Sequence, residues 1–377
     1  MGKRGYQVCS NCVMDTSDSK IQFDSRGYCD HCNNFYNNIL PNWHPDEASA
    51  KELEKIVEQI KKEGRNKKYD CIIGLSGGVD SSYLVYFAKE KLGLRPLAFS
   101  VDTGWNTDVA NENIKRLVNG LNLDIHTVVV DWDEMKDLQL AFFKSQVPSQ
   151  DIQDHAIFAS LYNFAAKIGF KYVLTGANHS TECIREPIEW AHVNDLTQIK
   201  DIHSKYGTKP LRKFPMCGIF KYRLYYRYIK GMKIVQPLNL IPYIKEDAIN
   251  ELQERFGWER YKNKHFENVF TRFFEGYWLP KKFGYDKRRA HFSSLIVTGQ
   301  LTREEALEIL KHPPYPVEEA MQDMEFIANK LGVTKAEFEE LMKGENRTYR
   351  DYKSEMFWIE LAINLAKLVG LEKRNFR

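Results

Sequence analysis

Five short apolar runs punctuate the middle of the chain: Asp70–Leu75, Pro96–Val101, Ile125–Val130, Tyr172–Thr175 and Lys233–Pro237. They are rich in β-branched residues and continuous rather than alternating, the pattern of strands buried on both faces. Between them lie stretches of helical periodicity, among them Ser81–Leu92, Val109–Leu121 and Ile152–Ile168. Alternation of strand and helix predicts a doubly wound parallel α/β sheet, with ligands bound at the carboxyl ends of its strands. Residues 45–63 read as an amphipathic helix opened by Pro45 and ended near Gly64. Beyond residue 246 the pattern is mainly helical, with Thr302 and Glu305 placed to cap one of the helices. The expected organisation is therefore residues 1–40, a linker helix within 41–68, an α/β domain over 69–245, and a helical region over 246–377 that serves substrate or partner docking.

Composition narrows this little. The chain has 377 residues, 43% hydrophobic and 28% charged, which is globular, and its formal charge of +3 is close to neutral for that length. A dedicated nucleic-acid binder carries a stronger bias, so nucleic acid is not an expected partner. No apolar run is long enough to cross a bilayer and the N-terminus lacks a signal-peptide core. A cytoplasmic protein without a membrane partner is expected, with reduced cysteines.

Four of those cysteines stand as two pairs, Cys9-x-x-Cys12 and Cys29-x-x-Cys32. Each pair can grip one ion from a tight turn, and four thiolates close a tetrahedral zinc site with no open position, so the Zn2+ is structural. A redox pair is the weaker reading. Cys71 lies within the first strand and reads as packing, whereas Cys183 follows a polar segment close to the presumed site.

The first strand runs into Leu75-Ser76-Gly77-Gly78-Val79-Asp80-Ser81-Ser82, and a helix follows at once. Two glycines permit close approach of an anion, the helix start offers free N–H groups, and the serines add hydroxyls. The loop holds no Lys and is not a Walker A loop. SGGVDSS in this strand–loop–helix setting resembles the signature of the PP-loop ATP pyrophosphatases, which use ATP to adenylate an oxygen and release pyrophosphate. The resemblance implies an ATP site at Ser76, Gly77, Gly78, Asp80, Ser81 and Ser82. It adds Asp102 at the end of the second strand, where a plain Asp-Thr-Gly turn competes, and Gly176 and Asn178 after the fourth. Asp80 or Glu182 would hold Mg2+. Lys245 would reach the phosphates, with a surface lysine at a helix start as an equal alternative.

Two basic stretches are interleaved with aromatics. In Lys221–Lys230 a solvated face over half-buried tyrosines is the favoured reading. The second, KKFGYDKRRAH, is denser, and Lys281, Lys282, Arg288, Arg289 and His291 are the candidate contacts to phosphate or a sugar carboxylate. Together with the cysteine pairs and SGGVDSS, this stretch resembles the N-acetyl sugar amidotransferases of the WbpG and PseA type, over Cys9 to about Pro314. That likeness implies conversion of a sugar acetamido group to acetamidino in bacterial surface-glycan biosynthesis (O-antigen or pseudaminic acid type), with ammonia supplied by a partner glutaminase pair. The rival within the superfamily is a tRNA thiolase using Cys183 and Cys217; the rival outside it is a non-catalytic nucleotide-binding subunit.

Overall fold

The computed structural model describes residues 5–149, 152–190, 195–262 and 266–356, with a few positions between 358 and 368. Its centre is a parallel five-stranded sheet: β1 (Cys71–Gly74), β2 (Pro96–Asp102), β3 (Ile125–Val129), β4 (Tyr172–Leu174) and β5 (Lys233–Val235), in the order β3-β2-β1-β4-β5. The register runs Cys71 against Pro96 and Ile72 against Val173. All five predicted strands are present.

Alternation along β1 explains the two cores. Ile72 faces one side, with Leu97, Phe99 and Val101 of β2, and packs against Trp132–Ser145, Ile152–Ile168 and a run of aromatics from Phe270 to Trp278. Cys71 and Ile73 face the other side, against helix α1 (Glu47–Gly64), α2 (Val79–Tyr86), α3 (Asp108–Gly120) and α4 (Lys245–Phe256). Cys71 is thus a packing residue, as expected. The expectation that all five strands are buried is corrected. β3 and β5 form the two edges, and Val129 and Ile234 are exposed. Apolar continuity along a strand does not reveal which strand ends up at a margin.

Residues after 266 clasp the carboxyl end of the sheet. The Val269 N–H donates to the Trp105 carbonyl (2.9 Å) and the Thr107 N–H to the Glu267 carbonyl (3.0 Å). Buried Gln153 fastens the same seam, donating to Thr271 Oγ1 (2.6 Å) while its Oε1 accepts from Asn268 (2.8 Å). Two helices follow, α5 (Arg288–Val297) and α6 (Arg303–Leu310), the latter opened by the predicted Thr302–Glu305 capping box.

Helix α5 also backs the N-terminal cysteine knuckle. The Arg289 guanidinium donates to the Val13 carbonyl (2.8 Å) and pairs with Asp15 (3.0 Å), and the Val13 N–H reaches Ser293 Oγ (3.2 Å). Arg303 donates to the Cys9 carbonyl (2.8 Å). Knuckle, Cys183, Ile184, Trp190 and Ala290 form a third small core.

Among the described residues, no helix is long and apolar enough to cross a membrane.

Candidate active site

The loop after β1 owes its shape to Gly77, whose φ of +87° is readily adopted only without a Cβ. Its carbonyl is held by two donors, Trp258 Nε1 (3.2 Å) and Tyr261 Oη (3.0 Å). Ser76 and Ser81 join hydroxyls across the loop (3.1 Å), and Ser81 Oγ donates to the Gly78 carbonyl (3.1 Å). Gly78 is the N-cap of α2 and supplies no side-chain cap, so the first-turn N–H groups are left for an anion.

This loop forms one wall of a cleft of about 1070 Å³ at the carboxyl end of the sheet. Ser76, Gly78, Asp80, Ser81, Gly176, Glu182 and Lys245 line it from the α/β side, and Arg288 and His291 from α5. The approach is close: a Cβ on Gly176 would lie 2.9 Å from the Asp80 carbonyl carbon, and one on Gly78 would lie 3.0 Å from Glu267 Oε1. A smaller cavity of about 420 Å³ shares Gly74, Ser76, Asp154 and Glu267 with the cleft and reaches Phe99–Val101 at the end of β2.

Asp80 is positioned from two sides. Tyr243 Oη donates to its Oδ1 (2.6 Å), with Asn178 Nδ2 at 3.4 Å. Burial and the Asp80 carboxylate push the Tyr243 phenol far above its ordinary range, so it remains a donor at any working pH.

Several predicted contacts do not line the cleft. Ser82 is fully buried, its hydroxyl without a partner among the described residues, and it does not line the cleft. Asp102 accepts from the Gly104 N–H (2.7 Å), which is the turn that competed with the nucleotide reading. Asn178 caps the single turn His179–Glu182, accepting from the Thr181 N–H (2.9 Å). Lys281 is exposed outside the cleft, the Lys282 ammonium donates to the Met342 (3.0 Å) and Gly344 (2.6 Å) carbonyls, and Arg289 belongs to the knuckle. Of the five basic candidates, the structure brings only Arg288 and His291 to the cleft. Arg288 is steadied there by Asp286 (2.7 Å).

A residue that the sequence pattern did not single out stands beside them. Lys287 is buried, lines both cavities, and pairs with Glu275 (2.8 Å) and Glu186 (3.1 Å). His291 stands 3.5 Å from the same Glu186. Burial alone would raise the Glu186 carboxyl, but Lys287 and His291 hold it well below the usual carboxylate range. Asp154, Glu267, Arg260 and Lys262 also line the cleft without having been singled out.

In the knuckle the four sulfurs lie within 4.8 Å of one another and are fully buried. Cys9 and Cys32 are 3.9 Å apart, Cys12 and Cys29 3.6 Å. A tetrahedral ion with metal–sulfur bonds of about 2.3 Å spaces its sulfurs by roughly 3.8 Å, so the cluster has the geometry of a metal site. Backbone N–H groups point at the sulfurs, including Cys29 N to Cys9 Sγ (3.1 Å).

Two family models match the chain. One, described as NAD synthase, covers residues 50–185; the other, described as the C-terminal domain of WbpG-like LPS biosynthesis proteins, covers residues 267–365. This chain joins a PP-loop ATP pyrophosphatase domain to a WbpG-like C-terminal domain. The cleft lies where the two meet. Among curated relatives, an uncharacterized protein of Methanocaldococcus jannaschii is 29% identical over 169 residues, 45% of this chain and 58% of that protein. One component of the glutamine-hydrolyzing GMP synthase of Methanosarcina barkeri is 40% identical over 81 residues, 22% of this chain and 25% of the relative. The chain therefore spans less than two thirds of either. Among solved structures, the U34-tRNA thiolase NcsA of Methanococcus maripaludis aligns at a TM-score of 0.34 and 15% identity, over 71% of this chain and 81% of that one.

Proposed function

We propose that this protein is an ATP-dependent amidotransferase that converts an acetamido group of an N-acetylated sugar into an acetamidino group. The observation that carries the reading is the shared cleft, with the PP-loop on one wall and Arg288 and His291 of the WbpG-like domain on another.

The chemistry follows from the two walls. The amide oxygen attacks the α-phosphorus of ATP and pyrophosphate leaves, giving an O-adenylyl imidate. Ammonia adds to the imidate carbon and loses a proton. The carbon–oxygen bond to AMP then breaks, giving the amidine. No side-chain nucleophile is needed; the protein aligns the reactants and offsets developing charge. The α2 N-terminus, Ser76 and Ser81 receive the phosphates. The smaller cavity at Phe99–Val101 offers room for the nucleoside. Arg288 and Lys287, each held by carboxylates, offer the sugar half cationic donors, and His291 adds a ring nitrogen. Asp80 and Glu182 offer the hard oxygen donors that suit Mg2+, which supplies phosphate charge neutralisation when bound. The knuckle cysteines would hold a structural Zn2+. Ammonia comes from a partner glutaminase pair.

The thiolase reading gains no support. No cysteine is among the cleft-lining residues. Cys183 is buried against the Ser294 carbonyl, and burial pushes its thiol up to about 12. Cys217 lies in a different core cluster. Cys183→Ser is expected to leave AMP release within about twofold of wild type, since the thiol lies outside the machinery. A complete loss of AMP release in a folded variant would reopen the thiolase.

The direct test incubates the protein with ATP, Mg2+, ammonium and a panel of N-acetylated nucleotide sugars and nonulosonates, with mass spectrometry on both products. Exchange of oxygen for NH in one sugar, matched by AMP, supports the proposal. An unchanged panel, with AMP formed only when tRNA and a sulfur donor are added, removes it. Tyr243→Phe probes the Asp80 support: losing a hydrogen bond to a carboxylate should slow AMP formation roughly tenfold to hundredfold. An unchanged rate would show that Asp80 needs no help from Tyr243.

A further inference from the structure

The chain is nearly neutral overall, yet from His203 to Lys245 it contains no Asp or Glu, while Lys205, Lys209, Arg212, Lys213, Lys221, Arg223, Arg227, Lys230, Lys233 and Lys245 fall in that span. At its centre stands the π-helical segment Lys221–Ile229, outside the cleft. Its inner side is anchored. Tyr222 packs on Phe158 (4.7 Å) and Tyr162 (5.0 Å), and buried Tyr226 donates to Asn163 Oδ1.

The outer side is not covered. Phe220 is 71% exposed, Leu224 52%, Tyr228 71% and Ile229 73%. This corrects the sequence expectation of a solvated charged face over half-buried tyrosines: two tyrosines do go inward, but phenylalanine, leucine and isoleucine stand in water beside them. Four large exposed apolar side chains on one short helix are a patch rather than scattered singles. The cations among them are not neutralised. Arg223, Arg227 and Lys230 form no ion pair with a carboxylate among the described residues; Arg227 and Lys230 lie instead over the rings of Tyr228 and Tyr225.

We propose that this face docks on the surface of an anionic lipid bilayer. A headgroup layer takes both components at once: phosphates for Arg223, Arg227 and Lys230, and the acyl boundary for Phe220, Leu224 and Ile229. Single-stranded nucleic acid would use the cations and the tyrosine rings, but aliphatic Leu224 and Ile229 offer no face on which a base stacks. Carboxylates from elsewhere pair with the flanking Lys205, Lys209, Lys213 and Lys233, so the charge that meets a negatively charged surface is that of Arg223, Arg227 and Lys230 on the central helix. The attachment is peripheral and needs no spanning helix. It departs from the sequence expectation of no membrane partner, which rested on the lack of a long apolar run and of a signal-peptide core.

The test is flotation of the full-length protein with vesicles of phosphatidylcholine alone and of equal parts phosphatidylcholine and phosphatidylglycerol. Binding is expected only to the second, and should weaken with salt. Each cation near such a surface is worth about fivefold in partitioning, so Arg223→Glu with Arg227→Glu should lower binding by more than about tenfold. Leu224→Ser with Ile229→Ser should lower it too. Both variants keep Tyr222 and Tyr226 and should keep the thermal midpoint and ATP affinity. Equal binding to neutral vesicles, no binding to anionic ones, or binding indifferent to both variants overturns the proposal. So does vesicle-independent capture of single-stranded RNA, or self-association by light scattering, that the same substitutions abolish.

Discussion

Gly77→Ala should impair ATP use while leaving the protein folded. The residue sits at φ +87°, where an L side chain costs roughly 1–2 kcal/mol. Its new Cβ would lie 3.0 Å from the Ala110 carbonyl oxygen and 3.4 Å from the Ala110 Cα. These are backbone atoms of α3, which cannot swing aside as a side-chain tip can. The loop itself must therefore shift, and its carbonyl, gripped by Trp258 and Tyr261, resists. The N–H groups at the start of α2 would then miss the phosphates by tenths of an ångström. A misplacement of a full ångström costs catalysis about a hundredfold, so a shift of tenths of an ångström should lower kcat/KM for ATP by roughly tenfold. The thermal midpoint should drop by only a few degrees, because strain of this size is small against the whole domain. Gly78→Ala is the contrast. Gly78 has φ −70°, and its nearest obstacle is Glu267 Oε1, the end of a flexible chain. Nucleotide titration by calorimetry, run on both variants, separates them. A Gly77→Ala protein that binds ATP normally would show that the loop does not cradle the phosphates.

The contrast marks what could be read before the fold was known. SGGVDSS and the two cysteine pairs were legible because their chemistry is local: a loop and two turns carry nearly all the needed atoms. The strands were legible from their continuous apolar runs, but not the edge positions of β3 and β5, which the crossover connections decide. In the basic stretch the chemistry was visible and the choice among neighbours was not. Helical spacing makes that choice. Arg288, His291 and Leu295 share one stripe of α5 and line the cleft, while Arg289 and Ser293 share another and meet the knuckle. Lys287, just ahead of the helix, turns inward to Glu186 and Glu275. Asp154, Glu186, Glu267 and Glu275 arrive from separate parts of the chain, and no local pattern marks them as neighbours.

The same two-faced helix leads to the second large effect. On the proposed function, removing the metal that the knuckle would hold, by chelation or by Cys29→Ser, should disable the proposed sugar half of the site before the ATP half. Four fully buried thiols at metal spacing form a poor core without an ion, since structural zinc contributes its binding free energy directly to folding. Loss of a few kcal/mol in a domain of this size corresponds to a fall of roughly 10 °C in the thermal midpoint. Once the knuckle loosens, α5 loses the Val13 and Asp15 partners of Arg289 and the Val13 contact of Ser293, and α6 loses the carbonyls that Arg303 holds. The wall carrying Arg288 and His291 then loses its backing on that side and keeps its contacts to the Ser180–Glu186 segment and Glu275. The PP-loop, by contrast, is fixed by β1, α2, α3 and the Trp258 and Tyr261 donors, none of which belongs to the knuckle. Metal analysis, nucleotide titration and sugar turnover on one preparation should therefore diverge: metal gone, ATP affinity within about threefold, sugar KM raised or turnover lost. Arg289→Ala separates support from metal, and should retain the metal yet lose sugar turnover by roughly tenfold or more, the cost of removing one partner of a buried ion pair. If stripping the metal leaves the thermal midpoint unchanged, the cysteines are not a structural site. If ATP affinity falls in step with sugar turnover, the knuckle supports the whole cleft rather than the α5 wall, and the division of labour between the two faces of α5 is wrong.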